Sequence, residues 1–485
     1  MESSKLHAAL LCSPGMGHLI PLLELGKRLV SDHGIQVTIL VVTTHTSPAE
    51  SQYLHPSNTS VNSNLLQVVE LPPVDISGEL APGAAVLTQL CAMMRAAKPT
   101  VRSALFNMKP RPTMFVADIF GTESFDIVDE FRVPKYVFFT STAWATALTV
   151  LSPVLDKEVV GQYVDLKEPL RLPGCKPVRP EDVVDPMLDR NNQQYREYLR
   201  IGIEFTVSDG ILINTWEDLE PTSLKALRED DMLRSVVKAP VYPIGPFTKP
   251  VEPPGSARDG ELLEWLAKQP GESVLYVSFG SGGTLSADQI TELAWGLEMS
   301  QHKFIWVLRP PIEGQVDGSY FTSSSGPDEN PDFLPDGFLT RTRDRGVVVP
   351  LWAQQMQILC HASVGGFLSH CGWNSTLESL INGVPMIAWP LYAEQRMNAT
   401  MLTEELQVAV RTRELPTKKV VKREEVAEMV RRVMDDNKEA KALRERAKRL
   451  KISAKKALGK GGSSSNTLHK LIKGCQMRLD TDGEI

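Results

Sequence analysis

The chain of 485 residues is too long for one core, so we expect two domains of a couple of hundred residues each. Its 42% hydrophobic and 23% charged residues are ordinary for a globular protein, and the net charge of −7 argues against a nucleic-acid binder. The sequence contains neither a signal peptide pattern nor the run of roughly 18 apolar residues that a membrane span needs. The six cysteines lack C-x-x-C pairing, which indicates reduced thiols. We therefore expect a cytoplasmic protein with no stable membrane insertion.

Apolar strand patterns alternate with amphipathic helices through the first half of the chain. Strands at 6–12 and 36–43 flank a helix over about 19–31, and this βαβ opening predicts a parallel sheet. The same reading predicts further strands at 66–70, 113–117, 135–139 and 210–214, and helices near 86–107, 121–131, 141–156 and 193–207.

A stretch rich in Pro, Gly and Ser divides the chain, so we predict an N-terminal domain over 1–245, a linker over 246–258 and a second domain over 259–457. The second domain repeats the βα alternation, with predicted strands at 273–278, 305–308, 346–350, 363–368, 386–388 and 408–410. The pattern therefore indicates an α/β protein with two doubly wound parallel-sheet domains facing a shared cleft.

Three further segments complete the organisation. The loop over 310–335 is too long for a simple connector, so it is either functional or disordered. Helices are expected over about 422–457 and, after a Gly- and Ser-rich turn, to about 475. The charged residues beyond are expected to be disordered.

His18 and Asp118 are the candidate catalytic residues. Each follows a predicted strand of the first sheet, and open α/β folds bind ligands at that edge. An imidazole can take a proton from a hydroxyl at neutral pH, and a carboxylate can orient it and stabilise its cation. On spacing alone, two structural roles remain open: His18 as a helix-start residue and Asp118 as a helix N-cap.

Dinucleotide binding is a competing reading of the same turn, because Gly15-x-Gly17 forms half of a G-x-G-x-x-G fingerprint. The third glycine position holds Ile20, and the second strand is not followed by an acidic residue for a ribose. A nicotinamide-dependent oxidoreductase or a nucleotide-sugar epimerase is therefore disfavoured.

Small residues follow the first strand of the second domain, as Phe279-Gly280-Ser281-Gly282-Gly283, and could bring N–H groups close to a phosphate. Gly/Ser loops are more often simple turns. The following helix carries a capping-box spacing at Ser286 and Gln289.

The segment 352–395 carries the densest set of binding residues. A predicted strand runs into a Ser-His-Cys-Gly-Trp turn and then a helix, and the N–H groups of a helix N-terminus suit an anion. Ser375 and Glu378 also have capping-box spacing, so they could simply fix the helix start. The mirrored pairs Cys360-His361 and His370-Cys371 offer two ligands at most, too few for a structural zinc site.

The segment WAQQMQILCHASVGGFLSHCGWNSTLESLINGVPMIAWPLYAEQ resembles the signature box of plant family 1 UDP-glycosyltransferases nearly position for position. The stretches SPGMGHLIP at 13–21, LPPVD at 71–75 and SYF at 319–321 further resemble the subgroup that glucosylates hydroquinone and monolignols. This resemblance implies the GT-B fold, with the terminal segment 458–485 returning to the N-terminal domain. It implies His18 and Asp118 as the catalytic pair. The implied donor contacts are Ser281, Trp352, Ala353, Gln355, His370, Trp373, Asn374, Ser375, Glu378, Glu394 and Gln395.

The resemblance also implies an inverting transfer from UDP-glucose, because Gln395 accompanies glucose in this family. The acceptors would be small aromatics, namely simple phenols, phenylpropanoids or indoxyl-type hydroxyls, with Phe120, Trp144 and Tyr392 as candidate pocket walls. No metal and no cofactor are implied, and we expect a monomer. A non-catalytic nucleotide-sugar binder remains an alternative, although both catalytic residues are present. Whether aromatic amines are also accepted stays open.

Overall fold

The computed structural model describes residues 6–43, 54, 64–76, 78–81, 83–251, 256–314, 316–317, 320 and 333–482. The chain forms two compact units, Met1–Thr248 with Lys456–Ile485, and Lys249–Lys455. Each unit is built around one parallel sheet. None of the helices in the described ranges has the length and apolarity needed to cross a bilayer.

The first unit contains a seven-stranded sheet in the order β3-β2-β1-β4-β5-β6-β7, with every neighbouring pair parallel. Its strands are β1 His7–Cys12, β2 Gln36–Val42, β3 Leu66–Leu71, β4 Met114–Asp118, β5 Lys135–Phe139, β6 Gly210–Ile213 and β7 Val241–Pro243. Its helices are α1 Met16–His33, α2 Val86–Asn107, α3 Phe125–Glu130, α4 Ala143–Glu158, α5 Gln193–Thr206, α6 Pro221–Glu229 and α7 Asp231–Val236.

The second unit contains a six-stranded parallel sheet in the order β10-β9-β8-β11-β12-β13. Its strands are β8 Val274–Ser278, β9 Lys303–Leu308, β10 Gly346–Pro350, β11 Val364–Ser369, β12 Met386–Ala388 and β13 Ala409–Arg411. Its helices are α8 Ala257–Ala267, α9 Ala287–Ser300, α10 Phe338–Thr342, α11 Gln355–Leu359, α12 Trp373–Asn382, α13 Gln395–Thr400, α14 Arg423–Met434 and most of α15 Lys438–Leu458.

The last helix, α16 Ser463–Asp482, belongs to the first unit. Its apolar residues join the core formed by β1, β2 and α1, and its Ser464 hydroxyl donates to the Gly245 carbonyl at 2.6 Å. The residues that bury its inner face are Leu468, Leu471, Ile472 and Cys475. This helix is therefore a part of the first hydrophobic core, although more than 200 residues of the second unit precede it in sequence.

The strand and helix predictions for both sheets are confirmed with shifts of at most three residues at their ends, as is normal for element boundaries. The exceptions are the helix predicted near 121–131, which is a 3₁₀ turn Gly121–Ser124 followed by α3, and strand β7, which was not predicted. Two expectations were wrong. The residues after Cys475 are not irregular, because α16 continues to Asp482. The helix α8 begins inside the predicted linker, whereas the helices expected over 422–457 are present as α14 and α15. Most of the loop 310–335, including Ser319 and Phe321 of the subgroup motif, lies outside the described residues.

Candidate active site

The first cluster of candidate residues lies where the strand order of the first sheet reverses. Strands β1 and β4 are neighbours there, and the chain leaves them in opposite directions along the sheet. Open α/β sheets bind ligands at the carboxyl ends of strands at this kind of switch point. His18 lies in the first turn of α1, directly after β1, and Asp118 is the last residue of β4. The topology therefore brings together two residues that are 100 positions apart.

His18 Nδ1 lies 3.3 Å from Asp118 Oδ2. The Asp118 side chain has no solvent exposure, whereas His18 retains 16%, so the imidazole can still meet a substrate. Among the described residues, His18 Nδ1 has no hydrogen-bond partner of good geometry. The distance of 3.3 Å to Asp118 Oδ2 is slightly long, and the same oxygen accepts from the amide and hydroxyl of Ser13. Catalytic hydrogen bonds of this kind are often loose before substrate binds.

Asp118 is held by a set of backbone and side-chain donors. The Ser13 amide donates to Oδ2 at 2.9 Å, the Ser13 hydroxyl donates to the same oxygen, and the Gly121 amide donates to Oδ1 at 2.8 Å. Burial acts to raise the pKa of Asp118, but the contacts with His18 and Ser13 outweigh it and hold the pKa below the usual value. Asp118 thus stays a buried carboxylate at neutral pH.

Both structural alternatives for this pair have some basis. His18 does belong to a helix start, and Asp118 does accept an amide at the start of the short 3₁₀ turn Gly121–Ser124. These structural roles leave the catalytic role possible, because the Asp118 carboxylate also faces the His18 imidazole. One oxygen, Oδ1, accepts the Gly121 amide, and the other, Oδ2, lies next to His18.

The three candidate acceptor residues have different environments. The Phe120 ring lies 5.2 Å from the His18 ring, centroid to centroid, so this aromatic side chain borders the candidate base. Trp144 has no accessible surface and lies inside the core around α4, so it offers no wall to an acceptor in this structure. Tyr392 belongs to the second unit, where its ring lies 6.4 Å from that of His370.

The second cluster lies at the corresponding reversal of the second sheet, between β8 and β11. The loop 279–283 follows β8, and His370 directly follows β11. His370 packs closely against two glycines. A Cβ at Gly280 would lie 2.5 Å from His370 Cε1, and one at Gly372 would lie 2.5 Å from Nε2. Gly280 also has a φ of 75°, a conformation that favours glycine. The glycines at these positions make room for the imidazole.

Burial lowers the pKa of His370 to about 4, and the positive charge of Arg309 adds to this effect. His370 is therefore a neutral imidazole at physiological pH. It can act on an anion as an N–H donor but carries no charge of its own before a ligand binds. Its Nδ1 is buried and has no hydrogen-bond partner among the described residues.

A polar cluster links α11 to α12. The Gln355 amide donates to Ser375 Oγ at 2.9 Å and to Glu378 Oε2 at 2.7 Å. The capping-box reading of Ser375 and Glu378 was wrong, because the N-cap of the helix is Gly372 and not Ser375. Ser375 lies in the first turn of α12, and the N–H groups of a helix N-terminus suit an anionic ligand. Ser286 is confirmed as the N-cap of α9, because its hydroxyl accepts the Gln289 backbone amide at 3.2 Å. The Gln289 side chain bonds the Val421 backbone instead of completing a capping box.

Glu378 is the second residue in this region whose ionisation is shifted. Burial raises its pKa to about 7, although the Gln355 hydrogen bond and the charge of Lys249 act in the opposite direction. A buried carboxyl near its titration point at neutral pH is typical of a ligand site. Hydroxyl donors from a ligand would favour its ionised form.

Trp352 keeps 48% of its surface exposed, unlike the other described aromatic residues of this unit. The Lys249 ammonium lies 5.1 Å from the centre of its ring. An exposed indole face supplies a stacking platform for a flat ring system. Ala353 follows it and is buried.

Glu394 and Gln395 begin α13. The side-chain oxygen of Gln395, Oε1, accepts hydrogen bonds from the backbone amides of Leu391 and Tyr392, each at 3.0 Å. These bonds fix the side chain, so the group that it can offer to a sugar hydroxyl is the amide NH₂. Glu394 Oε1 lies 3.4 Å from the amide nitrogen of Asn398, which in turn donates to the Cys371 carbonyl at 3.0 Å.

Left-handed backbone conformations mark the same region. Leu351, Cys371 and Ala393 all have positive φ, at 64°, 65° and 55°, and each directly precedes or follows a predicted binding residue. Residues other than glycine adopt this conformation at a cost of about 1–3 kcal/mol, and such strain clusters at functional sites. The sequence has no signal for these positions, because none is a glycine.

The described residues contain one group of potential metal ligands, Cys91, Glu123 and Glu197. Arg95 pairs with both carboxylates, at 2.6 and 2.8 Å, and Arg200 lies 2.9 Å from Glu123. The group is thus a buried ion network that joins α2, α5 and the turn after β4, and its charges are already balanced. It is separate from both clusters of predicted site residues.

Comparison with known proteins shows the family of the chain. Residues 256–445 match the family described as UDP-glucoronosyl and UDP-glucosyl transferase. Anthocyanidin 3-O-glucosyltransferase 5 of Manihot esculenta is 54% identical, and the match covers 97% of this chain and 95% of that protein. The chain belongs to the plant family 1 UDP-glycosyltransferases.

Other members of the UDP-glycosyltransferase family support the same placement. Hydroquinone glucosyltransferase of Rauvolfia serpentina is 43% identical over 96% of this chain and 97% of its own. The crystal structure of TcCGT1 in complex with UDP superposes with a TM-score of 0.91 at 49% identity, over 98% of this chain and 100% of that chain. This UDP-glycosyltransferase therefore has the GT-B fold that the resemblance implied.

Sequence reasoning missed two residues of this UDP-glycosyltransferase. Ser13 was part of a quoted motif, but nothing in the motif indicated that its amide and hydroxyl bind Asp118. Arg309 lies at the end of β9 and donates to the Ser281 carbonyl at 2.6 Å. Its position directly after a buried strand was the available signal, because open α/β sheets bind ligands at the carboxyl ends of their strands.

Proposed function

We propose that this UDP-glycosyltransferase is an inverting glucosyltransferase that transfers glucose from UDP-glucose to the hydroxyl of small aromatic acceptors. The product would be a β-O-glucoside. The observation that carries the proposal is the pairing of His18 with Asp118. The buried Asp118 carboxylate lies 3.3 Å from the His18 imidazole, which remains partly exposed. A base of this design suits hydroxyl acceptors, because their oxygen must lose a proton as it attacks.

In the proposed reaction, His18 takes the proton from the acceptor hydroxyl as its oxygen attacks the anomeric carbon of glucose. Asp118 stabilises the imidazolium that forms and keeps the ring oriented. The bond from glucose to the UDP oxygen breaks as the new bond forms. A single displacement through an oxocarbenium-like state inverts the configuration, so an α-linked donor gives a β-glucoside.

The leaving diphosphate would be stabilised by groups of the second unit. His370 contributes a neutral N–H donor, the first turn of α12 contributes the N–H groups of a helix N-terminus, and Ser281 and Ser375 contribute hydroxyls. Trp373 and Asn374 begin the same helix. Donors fixed in place before the reaction stabilise the charge that develops on the leaving oxygen. No metal is assigned to this step.

The remaining donor contacts follow from chemistry and from the family resemblance. Trp352 is proposed to stack on uracil, with Ala353 and Gln355 beside it, and Glu378 to accept the ribose hydroxyls. Glu394 and the Gln395 NH₂ group are proposed to bind the sugar hydroxyls. The choice of glucose rests on Gln395.

Small aromatic acceptors are the second part of the proposal. One relative is named for anthocyanidins and another for hydroquinone, and both kinds of compound carry phenolic hydroxyls. Phe120 borders His18 and can support an aromatic ring beside the base. We further propose that the protein acts as a cytoplasmic monomer, with no cofactor besides the donor substrate.

The decisive experiment is a product scan of the purified protein with UDP-glucose, UDP-galactose and UDP-glucuronic acid, in the presence of a chelator. The acceptor panel contains simple phenols, phenylpropanoids, an indoxyl-type hydroxyl, a flavonol and an aromatic amine. We expect β-glucosides of the small phenols from UDP-glucose, identified by the anomeric coupling constant. Preference for another sugar would refute the Gln395 assignment, and loss of activity with chelator would refute the metal-free mechanism.

Variants separate the donor site from the base. His370→Ala and Gln395→Ala should raise the KM for UDP-glucose or lower its turnover for every acceptor alike. Normal donor kinetics in either variant would contradict its assignment. Cys360→Ala is a matched control, because its exposed thiol lies after α11 and outside the proposed contacts.

A further inference from the structure

Three neighbouring strands of the second sheet end in one row. Arg309 follows β9, the loop 279–283 follows β8 and His370 follows β11, and these strands are adjacent in the order β9-β8-β11. The loop and His370 belong to the proposed donor site. Arg309 occupies the third position of the row, and neither motif nor resemblance assigned it a role.

The Arg309 side chain binds the backbone of the loop 279–283. Its Nη1 donates to the Ser281 carbonyl at 2.6 Å. This bond fixes the orientation of the peptide between Ser281 and Gly282, because the carbonyl must point toward the guanidinium. The N–H of the same peptide points the opposite way, since the two groups are trans across a planar unit. Arg309 thus determines which backbone groups the loop presents.

The positive charge of Arg309 is not paired with a carboxylate in the described part of the chain. No carboxylate of a described residue lies within ion-pair distance of the guanidinium, and its Nε is buried without a hydrogen-bond partner. Burial lowers its pKa, but an arginine stays protonated at neutral pH. A partly buried cation without a partner is costly, so the arrangement favours an anion as its ligand or near neighbour.

The charge also acts on His370. Arg309 contributes to the low pKa of that imidazole, which keeps the ring neutral. The row therefore combines a permanent cation at one end with a neutral donor at the other, and the loop lies between them. A diphosphate placed on this row would meet positive charge from Arg309 alone among these three elements.

We propose that Arg309 is a positioning residue of the donor site, which provides the positive potential for the diphosphate of the nucleoside diphosphate sugar and holds the Ser281 loop in its binding orientation. This inference rests on the proposed donor site in the second unit. It adds a residue whose two actions, charge and loop orientation, can be separated by substitution.

The test compares the binding of UDP and of uridine, which differ only in the diphosphate. Affinities of the wild type, Arg309→Lys and Arg309→Gln are measured by titration calorimetry for UDP and by competition for uridine. Arg343→Gln is the matched control, because its guanidinium is exposed and lies 3.8 Å from the carboxylate of its neighbour Asp344. Thermal unfolding verifies that each variant is folded.

We expect Arg309→Gln to weaken UDP binding about tenfold or more, as for the loss of a charge-assisted contact, and to leave uridine affinity within about twofold. Arg309→Lys should retain most of the UDP affinity, because the charge persists although the fork geometry is lost. The control should bind both ligands as the wild type does.

Two results would overturn the inference while the proposed function stands: UDP affinity unchanged in Arg309→Gln, or equal weakening of UDP and uridine, which would indicate a structural role. Failure of the wild type to bind UDP would refute the donor site itself and the inference with it. A second readout is the NMR titration of the His370 ring. Its pKa should rise in Arg309→Gln and stay low in Arg309→Lys, and an unchanged value in Arg309→Gln would refute the electrostatic part.

Discussion

The Gln355 amide donates a hydrogen bond of 2.7 Å to Glu378, across from α11 to α12. Within the described part of the chain, this bond is the one direct donor to the Glu378 carboxyl, whose pKa burial raises to about 7. Glu378 is therefore sensitive to any ligand that brings further donors. If ribose hydroxyls bind it, its ionised form gains and its pKa falls.

The first prediction is that UDP binding releases protons at neutral pH. With a pKa of about 7, Glu378 is near half protonation at pH 7, so binding should release up to about half a proton, and UDP affinity should rise between about pH 6 and pH 8. Titration calorimetry in two buffers of different ionisation enthalpy measures the release. Glu378→Gln should bind UDP without it. An identical proton release in that variant would assign the titration to another group.

The second prediction concerns the base. His18→Ala should lower kcat for phenols by about 10²- to 10⁴-fold, the usual contribution of a general base, while UDP affinity stays within about twofold. Asp118→Asn should also lower kcat for phenols, because the imidazolium of His18 loses the carboxylate that stabilises it. His33→Ala, at the other end of the same helix, is the control and should keep full activity. Full phenol activity in His18→Ala would refute the base assignment.

The third prediction concerns Ser13, which supplies two donors to Asp118. Ser13→Ala removes the hydroxyl donor, and we expect a loss of about 1.5–3 kcal/mol in the free energy of unfolding at pH 7. The folded-state pKa of Asp118 lies below its unfolded value, so its stabilisation is present above the unfolded pKa and is lost as the pH falls through the folded pKa. The difference between wild type and variant should therefore shrink in acid.

Denaturant unfolding at pH 7 and at pH 3 tests this prediction. Ser31→Ala is the control, because Ser31 also donates to an aspartate but on the exposed surface of α1, and it should change stability by less than about 0.5 kcal/mol. A Ser13 effect that does not depend on pH would show that the hydroxyl contributes through packing instead of through the charge of Asp118.

The fourth prediction concerns Gly280. An alanine there would bring a Cβ to 2.5 Å from the His370 ring and would have to adopt a φ of 75°. We expect Gly280→Ala to destabilise the protein by about 1–2 kcal/mol or more and to weaken UDP binding by displacing His370. Thermal unfolding and calorimetry measure the two effects.

Gly260→Ala provides the control for this substitution. Gly260 lies in α8, and a Cβ there would meet no atom within 4 Å. Alanine in a helix interior is more stable than glycine by about 0.5–1 kcal/mol, so this variant should gain stability and bind UDP normally. Wild-type UDP affinity in a folded Gly280→Ala variant would show that the position of His370 does not matter for the donor.

The two sheets could be predicted from the sequence because buried parallel strands are continuous apolar runs bounded by turn residues. The runs that became β5 and β10 were predicted to the residue, and His18 and Asp118 were placed at strand ends by that pattern alone. Capping at Ser286 could be predicted equally well, since the hydroxyl of an N-cap residue accepts a backbone amide only three residues away. Local chemistry, with short-range partners, is what a sequence displays.

The other capping box shows where such reasoning stops. Ser375 and Glu378 have the right spacing, but the helix begins three residues earlier than that reading requires, at Trp373. The side chains instead meet Gln355, 20 and 23 residues before them in the chain. A spacing rule cannot distinguish these outcomes, because a long-range partner competes for the same groups.

The sequence by itself determined the family, the two parallel sheets and the residue types at the ends of their strands, because these depend on local periodicity and on a dense motif. Only the tertiary structure decided that Ser13 binds Asp118, that Arg309 has no carboxylate partner among the described residues, and that α16 completes the first core. It also decided that Glu378 titrates near pH 7 and that His370 is neutral. The physical reason is that burial and electrostatic fields depend on which distant segments surround a group, and no local pattern records them.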